Sequence, residues 1–157
     1  MYPDKSTNSS IVKLNEKAEV TTLQLKPTKE SVPEVMSFLE GELEKMEVPR
    51  KIFTKLMIVL DEIYSNILRY SGAKMAEVQC SREGDILTLV FKDDGVPYNP
   101  LEAREPDITL SAADREIGGL GIFMVRKLMD TADYMYKDGK NILSLTRNLK
   151  ENDKVNH

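Results

Sequence analysis

Hydrophobic positions in the first half of the chain recur at three- and four-residue intervals, a spacing typical of helices that pack by one face. One such run covers residues 27–49, and a second covers 50–70. The pair Ser71-Gly72 is a helix-ending signal directly after the second run. Before both runs, the β-rich stretch 20–25 predicts a strand.

In the second half, apolar and polar residues alternate over short stretches, which is the pattern of half-buried strands. These stretches are 76–81, 86–91, 132–136 and 142–146, and one further helix is predicted over 121–130. The pair Asp138-Gly139 between the last two strands is a strong hairpin signal. Because helices and hairpins occur in separate groups, the sequence predicts an α+β fold with helices on one face of a sheet.

The chain of 157 residues fits one domain with its own core. We expect residues 10–149 to form this domain, with a disordered N-terminus over 1–9 and a frayed C-terminus over 150–157. Hydrophobic residues make up 41% and charged residues 31% of the chain, which is the composition of a soluble globular protein.

Charge and rare residues exclude several functions. The net charge of -4 argues against a protein that binds nucleic acid by neutralising phosphates. No apolar run reaches the roughly 20 residues that cross a bilayer. Cys80 is the only cysteine, which excludes an internal disulfide and favours a cytoplasmic location. His157 is the only histidine, which excludes histidine metal clusters and a Ser-His-Asp triad.

One face of the second predicted helix carries polar groups suited to a metal-bound nucleotide. At 100° per residue, Glu62, Asn66 and Arg69 lie within about 60° of one another. They point away from the apolar stripe that contains Leu60 and Ile63. Spacing alone leaves two interpretations open, a solvated helix face or a carboxylate and an amide arranged for a metal-bound nucleotide.

Asp93 ends a stripe of large apolar residues, because it shares one strand face with Leu87, Leu89 and Phe91. A desolvated carboxylate needs hydrogen-bond donors, and Gly95 allows another group to approach the backbone closely. Either the strand end turns into solvent here, or Asp93 accepts a hydrogen bond from the amino group of a base.

Three glycines stand where the third predicted helix is about to begin. These glycines are Gly118, Gly119 and Gly121, and Leu120 lies between the last two. Each glycine weakens a helix by about 1 kcal/mol relative to alanine. Free N–H groups at a helix N-terminus bind anions, and glycines remove the side chains that would block a phosphate. The alternative is a flexible loop capped by a helix, and the P-loop pattern is absent.

Three stretches, in this order, resemble the motifs of the GHKL ATPases, the superfamily of gyrase, histidine kinases and anti-sigma serine kinases. LDEIYSNILRY resembles the N-box, FKDDGVPYNP the first glycine box and EIGGLGIFMVRKLMD the second. Within the superfamily, the chain is most similar to the anti-sigma regulatory factors of bacteria. Tyr98 and Asn99 depart from the D-x-G-x-P-F-D-P pattern of that family. The resemblance covers about residues 20–149.

The resemblance implies a Bergerat fold. This is a two-layer α/β sandwich whose mixed, mostly antiparallel sheet carries helices on one face and holds ATP between the layers. By the match, Asn66 would ligate Mg²⁺, Glu62 would be the general base, and Asp93, beside Gly95, would accept from the adenine amino group. Residues 101–117 would form a mobile lid. The phosphates would be wrapped by Gly118, Gly119, Leu120 and Gly121.

The family also implies a function. It would be a cytoplasmic serine/threonine protein kinase that uses ATP and Mg²⁺ to phosphorylate a small antagonist protein, and that sequesters a sigma factor and so regulates transcription. One alternative is a module that binds ATP and docks a partner without transferring phosphate. Another is a scaffold that binds no nucleotide. Many such factors are homodimers, and the sequence leaves open the oligomeric state, the sigma factor and the antagonist. Neither nucleic acid nor a membrane is expected as a direct partner.

Overall fold

The computed structural model describes residues 10–14, 19–102 and 117–150, with the backbone alone at 10–14 and 117–120. The strands are β1 (Ser10–Leu14), β2 (Glu19–Leu25), β3 (Ala76–Glu83), β4 (Ile86–Asp93), β5 (Thr131–Lys137) and β6 (Lys140–Asn148). The helices are α1 (Val32–Lys45), α2 (Arg50–Asn66) and α3 (Ile117–Leu128). Short helical turns cover Lys29–Ser31, Ile67–Ser71 and Pro100–Glu102.

The six strands form one sheet in the order β1-β2-β3-β4-β6-β5. All of the pairings between described strands are antiparallel. The two-layer α+β class is therefore confirmed, while the sheet of the described residues is antiparallel rather than mixed. Most of the antiparallel pairings join strands that are consecutive in the chain, namely β1 with β2, β3 with β4 and β5 with β6.

The ladder registers place the buried residues of neighbouring strands in rows across one face. One row joins Val78, Phe91 and Leu143, and the next joins Ala76, Asp93 and Asn141. The first row is apolar and the second ends in two polar residues, so the polar pair lies at one end of the core. All of these side chains are almost inaccessible to solvent.

The three helices cover this face of the sheet. Their apolar residues are fully or almost fully buried, among them Leu39 of α1, Leu60 of α2 and Val125 of α3. Helix α2 packs against both α1 and α3 and is therefore central in the helical layer. No helix within the described ranges is long and apolar enough to cross a membrane.

Two turns follow directly from their residues. Asp138 and Gly139 have φ of 54° and 76°, which is the left-handed pair required between tightly connected antiparallel strands. Gly72 has φ of 64° and ends the helical segment that contains α2, as the sequence predicted. Between Asn66 and Gly72 the helix widens into a π-turn, Ile67–Ser71, a feature that often occurs beside functional sites.

Two elements differ from the sequence prediction. Strand β1 was not expected, and it pairs with β2 through the register Val12 to Thr21. Helix α3 begins at Ile117, not at Gly121, so the glycines lie in its first turns rather than in a preceding loop. The reason lies in tertiary packing, because the buried residues Ile122 and Val125 hold α3 against the core, and such packing overrides the weak helix propensity of glycine.

Candidate functional site

A pocket opens between the C-terminal end of α2 and the strands β4 and β6. Most of its walls are apolar, and a few polar groups converge in it, which is the usual character of a small-molecule site. Its lining residues are Ile63, Asn66, Ile67, Ser71, Phe91, Asp93, Tyr98, Pro100, Tyr134, Asn141 and Leu143. Two of the residues singled out from the sequence, Asn66 and Asp93, therefore line one pocket.

Asn66 is the last residue of α2, and its side chain is buried. Neither Nδ2 nor Oδ1 of its amide has a hydrogen-bond partner among the described residues. An unpaired buried polar group costs about 1–3 kcal/mol, so this amide is suited to a partner other than the described residues. The interpretation of this helix face as solvated is wrong at Asn66, whereas Arg69 is exposed and lies over the ring of Tyr70.

Asp93 is only 6% exposed and ends the buried stripe of β4, so its side chain does not turn into solvent. Its Oδ1 accepts hydrogen bonds from the backbone N–H of Gly95 and from Nδ2 of Asn141, both at 2.9 Å. Two donors offset much of the cost of burying a carboxylate. Since both bonds from the described residues end on Oδ1, Oδ2 is the oxygen available to a ligand.

Gly95 fixes the segment after β4 against the end of α2. A Cβ at this position would overlap the carbonyl oxygen of Ser71, so only glycine permits this approach. The next residue, Val96, donates its N–H to the same carbonyl at 2.9 Å. The close approach expected of Gly95 from the sequence is therefore an approach to protein backbone, and it closes one side of the pocket.

Asp94 faces the other way and ties this segment to the loop after α2. Its Oδ1 accepts from the N–H groups of Lys74 at 2.7 Å and Met75 at 3.1 Å. The hydrogen bonds from the N–H groups of Met75 and Lys74 lower the pKa of this exposed carboxyl. Adjacent aspartates thus have separate roles, with Asp93 inside the pocket and Asp94 anchoring its outer edge.

Glu62 lies one helical turn before Asn66, and it is half-buried where α2 packs on α3. A Cβ on Gly121 would overlap Oε1 of Glu62 and lie 2.6 Å from its Cδ. Glycine at position 121 therefore leaves room for the carboxylate against the first turns of α3. This packing contact was not foreseen from the sequence, which assigned Gly121 to phosphate binding alone.

The other residues of the predicted phosphate loop, Gly118, Gly119 and Leu120, belong to the first turn of α3. The N–H groups of a first turn have no partner within their helix, so this position remains compatible with an anion. The predicted lid over 101–117 lies mostly outside the described residues. At its start, Arg126 of α3 donates to the carbonyl oxygen of Leu101 at 2.7 Å.

Sequence reasoning missed Asn141, which is buried and bonded to four groups of the site. Nδ2 donates to Asp93 and to the carbonyl oxygen of Val96, and Oδ1 accepts from the N–H of Tyr98 and the hydroxyl of Tyr134. A signal was present, because Asn141 precedes the alternating residues Ile142–Thr146 and shares the face of Leu143. The predicted strand began one residue too late to include it.

The fold and the pocket together define the class of protein, an ATPase domain of the histidine-kinase type. The family model described as histidine kinase-like ATPase domain matches residues 25–147, which is most of the chain. The chain belongs to this family, and the recognition made from the three motifs is confirmed. Membership in an ATPase family implies that the protein binds ATP.

Two individual proteins are similar to the chain. Serine/threonine-protein kinase BtrW of Bordetella bronchiseptica is 26% identical over 136 residues, which are 82% of this chain and 94% of that protein. A chain in the crystal structure of the SiaB-SiaC complex from Pseudomonas aeruginosa shares the fold with a TM-score of 0.51 and 18% identity. That match covers 80% of this chain and 88% of the other.

Proposed function

We propose that this protein is an ATP-dependent serine/threonine protein kinase of the anti-sigma type. It phosphorylates a small antagonist protein and sequesters a sigma factor. The kinase relative supports phosphoryl transfer, and the similar fold in a complex of two proteins supports a role in protein-protein regulation. The observation that carries the proposal is that one pocket contains both an unpaired buried amide and a buried carboxylate with a free oxygen.

The residues of the pocket fit a magnesium-bound adenine nucleotide. Oδ1 of Asn66 is a hard oxygen ligand, buried and without a partner among the described residues, as a Mg²⁺ ligand would be before the ion binds. Oδ2 of Asp93 would accept from the adenine amino group, and the apolar wall around Phe91 would cover the base. Gly118, Gly119 and Leu120 would offer backbone N–H groups from the first turn of α3 to the phosphates, while Gly121, one residue further into the helix, would leave room for Glu62.

Glu62 is the residue we assign to proton transfer. It would take the proton of the serine or threonine hydroxyl while that oxygen forms a bond to the γ-phosphorus. The bond from the γ-phosphorus to its bridging oxygen breaks, and the electron pair stays on that oxygen, so the products are phosphoprotein and ADP. Packing against Gly121 would limit the positions open to this carboxylate and so favour one orientation.

The proposal is tested by single-turnover transfer of radiolabelled phosphate to the cognate antagonist, measured beside nucleotide affinity. Glu62→Gln keeps the shape of the side chain but removes its basicity. We expect it to lower transfer by about 10²–10⁴-fold while Mg-ATP affinity stays nearly unchanged. Transfer at the wild-type rate by this variant would remove Glu62 from the mechanism.

The same experiment separates the kinase from its alternative, a module that binds ATP and docks a partner without chemistry. If the wild type binds ATP and its partner but transfers no phosphate to any cognate antagonist, the binding module is the correct function. If titration with ATP and ADP, with and without Mg²⁺, detects no binding, both functions fail together.

A further inference from the structure

Asn141 makes as many hydrogen bonds as its side chain allows, and all of them are to groups that shape the pocket. Its two N–H donors reach Asp93 and the carbonyl oxygen of Val96, each at 2.9 Å. Its oxygen accepts from the N–H of Tyr98 at 2.9 Å and from the hydroxyl of Tyr134. Two donors and two accepted bonds exhaust the capacity of a primary amide.

The backbone alone fixes which way this amide points. The N–H of Tyr98 can only donate and therefore faces Oδ1, while the carbonyl oxygen of Val96 can only accept and therefore faces Nδ2. Because rotation of the amide by 180° would break both bonds, Asp93 always meets a donor. Asp93 and Asn141 are also direct partners in the β4-β6 ladder, so their separation is fixed by the sheet.

We infer that Asn141 is a positioning residue for base recognition, which holds Oδ1 of Asp93 so that Oδ2 stays free to accept from the adenine amino group. This inference rests on the proposed function only in taking an adenine nucleotide as the ligand. Tyr134 supports the arrangement from β5, because burial raises the pKa of its phenol and keeps it a donor to Asn141.

The sharpest variant is Asn141→Asp, which changes one N–H₂ group to oxygen at almost constant volume. At pH 8 the new carboxylate faces Asp93 and the carbonyl of Val96 with no donor, so both contacts become repulsive. At pH 5 one proton shared by the two carboxyl groups restores a donor toward Oδ1 of Asp93. Affinity for ADP should therefore fall at pH 8 and recover as the pH is lowered.

The experiment is isothermal titration of the full chain with ADP and with GDP from pH 5 to 8, without Mg²⁺ so that Asn66 is not involved. We expect wild type to prefer ADP by about tenfold or more, and Asn141→Asp to lose at least about tenfold in ADP affinity at pH 8. Most of that loss should disappear at pH 5. The pH profile of the wild type is the control for any titration of the other ionisable groups around the site, because both proteins contain them. These groups are Lys92, Asp93, Asp94, Tyr98, Glu102, Tyr134, Tyr136 and Lys140.

Asn148→Asp is the matched control, because it is the same change on the same strand. The side chain of Asn148 accepts a hydrogen bond at Oδ1 from the N–H of Lys150 at 2.9 Å, and a carboxylate at this position can accept the same bond. This variant should bind ADP as wild type does at every pH. Tyr134→Phe is the second test, since it removes one bond to Asn141 without changing the fold, and it should lower ADP affinity by about two- to tenfold.

The outcomes distinguish the inference from the function on which it rests. If wild type binds no adenine nucleotide, the proposed function itself is wrong. If wild type prefers ADP but Asn141→Asp shows the wild-type pH profile, the positioning role is wrong. If Asn141→Asp does not fold, Tyr134→Phe decides, and unchanged ADP affinity with an unchanged ADP-to-GDP ratio overturns the inference.

Discussion

The two ends of the pocket differ in how far the protein satisfies its own polar groups. At the end near β4 and β6, Asp93 and Asn141 bond to each other and to backbone groups of the glycine-containing segment. At the end near α2, the amide of Asn66 is buried with no described partner. We refer to these as the base end and the phosphate end, following the proposed function.

This difference assigns a different task to each end. A network that is complete before a ligand arrives is preorganised, so it selects a ligand without a further cost of ordering. An unpaired buried amide instead destabilises the free protein and regains a partner only on binding. The base end is therefore expected to set specificity, and the phosphate end to couple nucleotide binding to stability.

The largest effect is expected at the base end, from Asp93→Ala. This change removes the proposed acceptor for the base and leaves the N–H of Gly95 and Nδ2 of Asn141 without the carboxylate that accepts from them. Affinity for ATP and ADP should fall by about 10- to 100-fold. Calorimetric titration measures this, and Asp133→Ala, on an exposed position of β5, is the control with unchanged affinity.

Equal affinity of the wild type for GTP and ATP would contradict this assignment. By this assignment Asp93 would accept from the amino group of adenine but would face the O6 of guanine, which is also an acceptor. The discrimination should be at least about tenfold, since a buried polar mismatch costs about 1–3 kcal/mol.

The comparison of the two ends is tested most directly by two asparagines. Asn66→Leu replaces an unpaired amide with an apolar group of similar size, so the free energy of unfolding should rise by about 1 kcal/mol. Asn141→Leu removes four hydrogen bonds and should lower it by about 1–3 kcal/mol. Denaturant unfolding without nucleotide measures both changes.

A higher free energy of unfolding for Asn66→Leu and a lower one for Asn141→Leu would support the contrast between the two ends. A lower free energy of unfolding for both variants would contradict it. Nucleotide binding provides an independent reading. Asn66→Leu should also abolish the increase in ATP affinity that we expect Mg²⁺ to give the wild type, because the proposed metal ligand is lost. ATP titrations with and without Mg²⁺ measure that increase.

Sequence reasoning predicted the helices α1 and α2, five of the six described strands and the fold class, because each depends on local periodicity and turn residues. It also predicted Asp93 as a buried polar residue at the end of an apolar stripe. It missed Asn141 because the partner of Asp93 depends on the β4-β6 register, and no local pattern encodes which strands pair. The contact between Glu62 and Gly121 depends likewise on how α2 packs on α3.

A smaller effect is expected at the phosphate end, from Gly121→Ala. The new Cβ overlaps the carboxylate of Glu62, and overpacking of this kind usually costs about 1–3 kcal/mol. Gly41→Ala in α1 is the matched control, since a Cβ there meets no atom within 4 Å. It should stabilise the protein by up to about 1 kcal/mol.

The double variant Gly121→Ala, Glu62→Ala identifies the cause of the cost. If the clash with Glu62 is responsible, shortening Glu62 recovers most of the lost stability in thermal unfolding. If the two changes are simply additive, Gly121 is required for another reason, and the packing contact does not explain the glycine.

The smallest effect is expected from Asp94→Asn, at the outer edge of the base end. Bonds from the N–H groups of Met75 and Lys74 lower the pKa of Asp94 in the folded state. A lowered pKa means that the stabilisation is complete above the pKa of an unfolded aspartate, about 3.9, and is lost as the pH falls through the folded value. Because the group is exposed, the difference in Tm at pH 7 should be no more than about 2 °C.

Thermal unfolding from pH 7 to 2.5 should show the Tm values of wild type and variant converging in acid. A gap that stays constant to pH 2.5 would mean that Asp94 acts through shape rather than charge, and the anchoring of this edge would then owe nothing to its carboxylate.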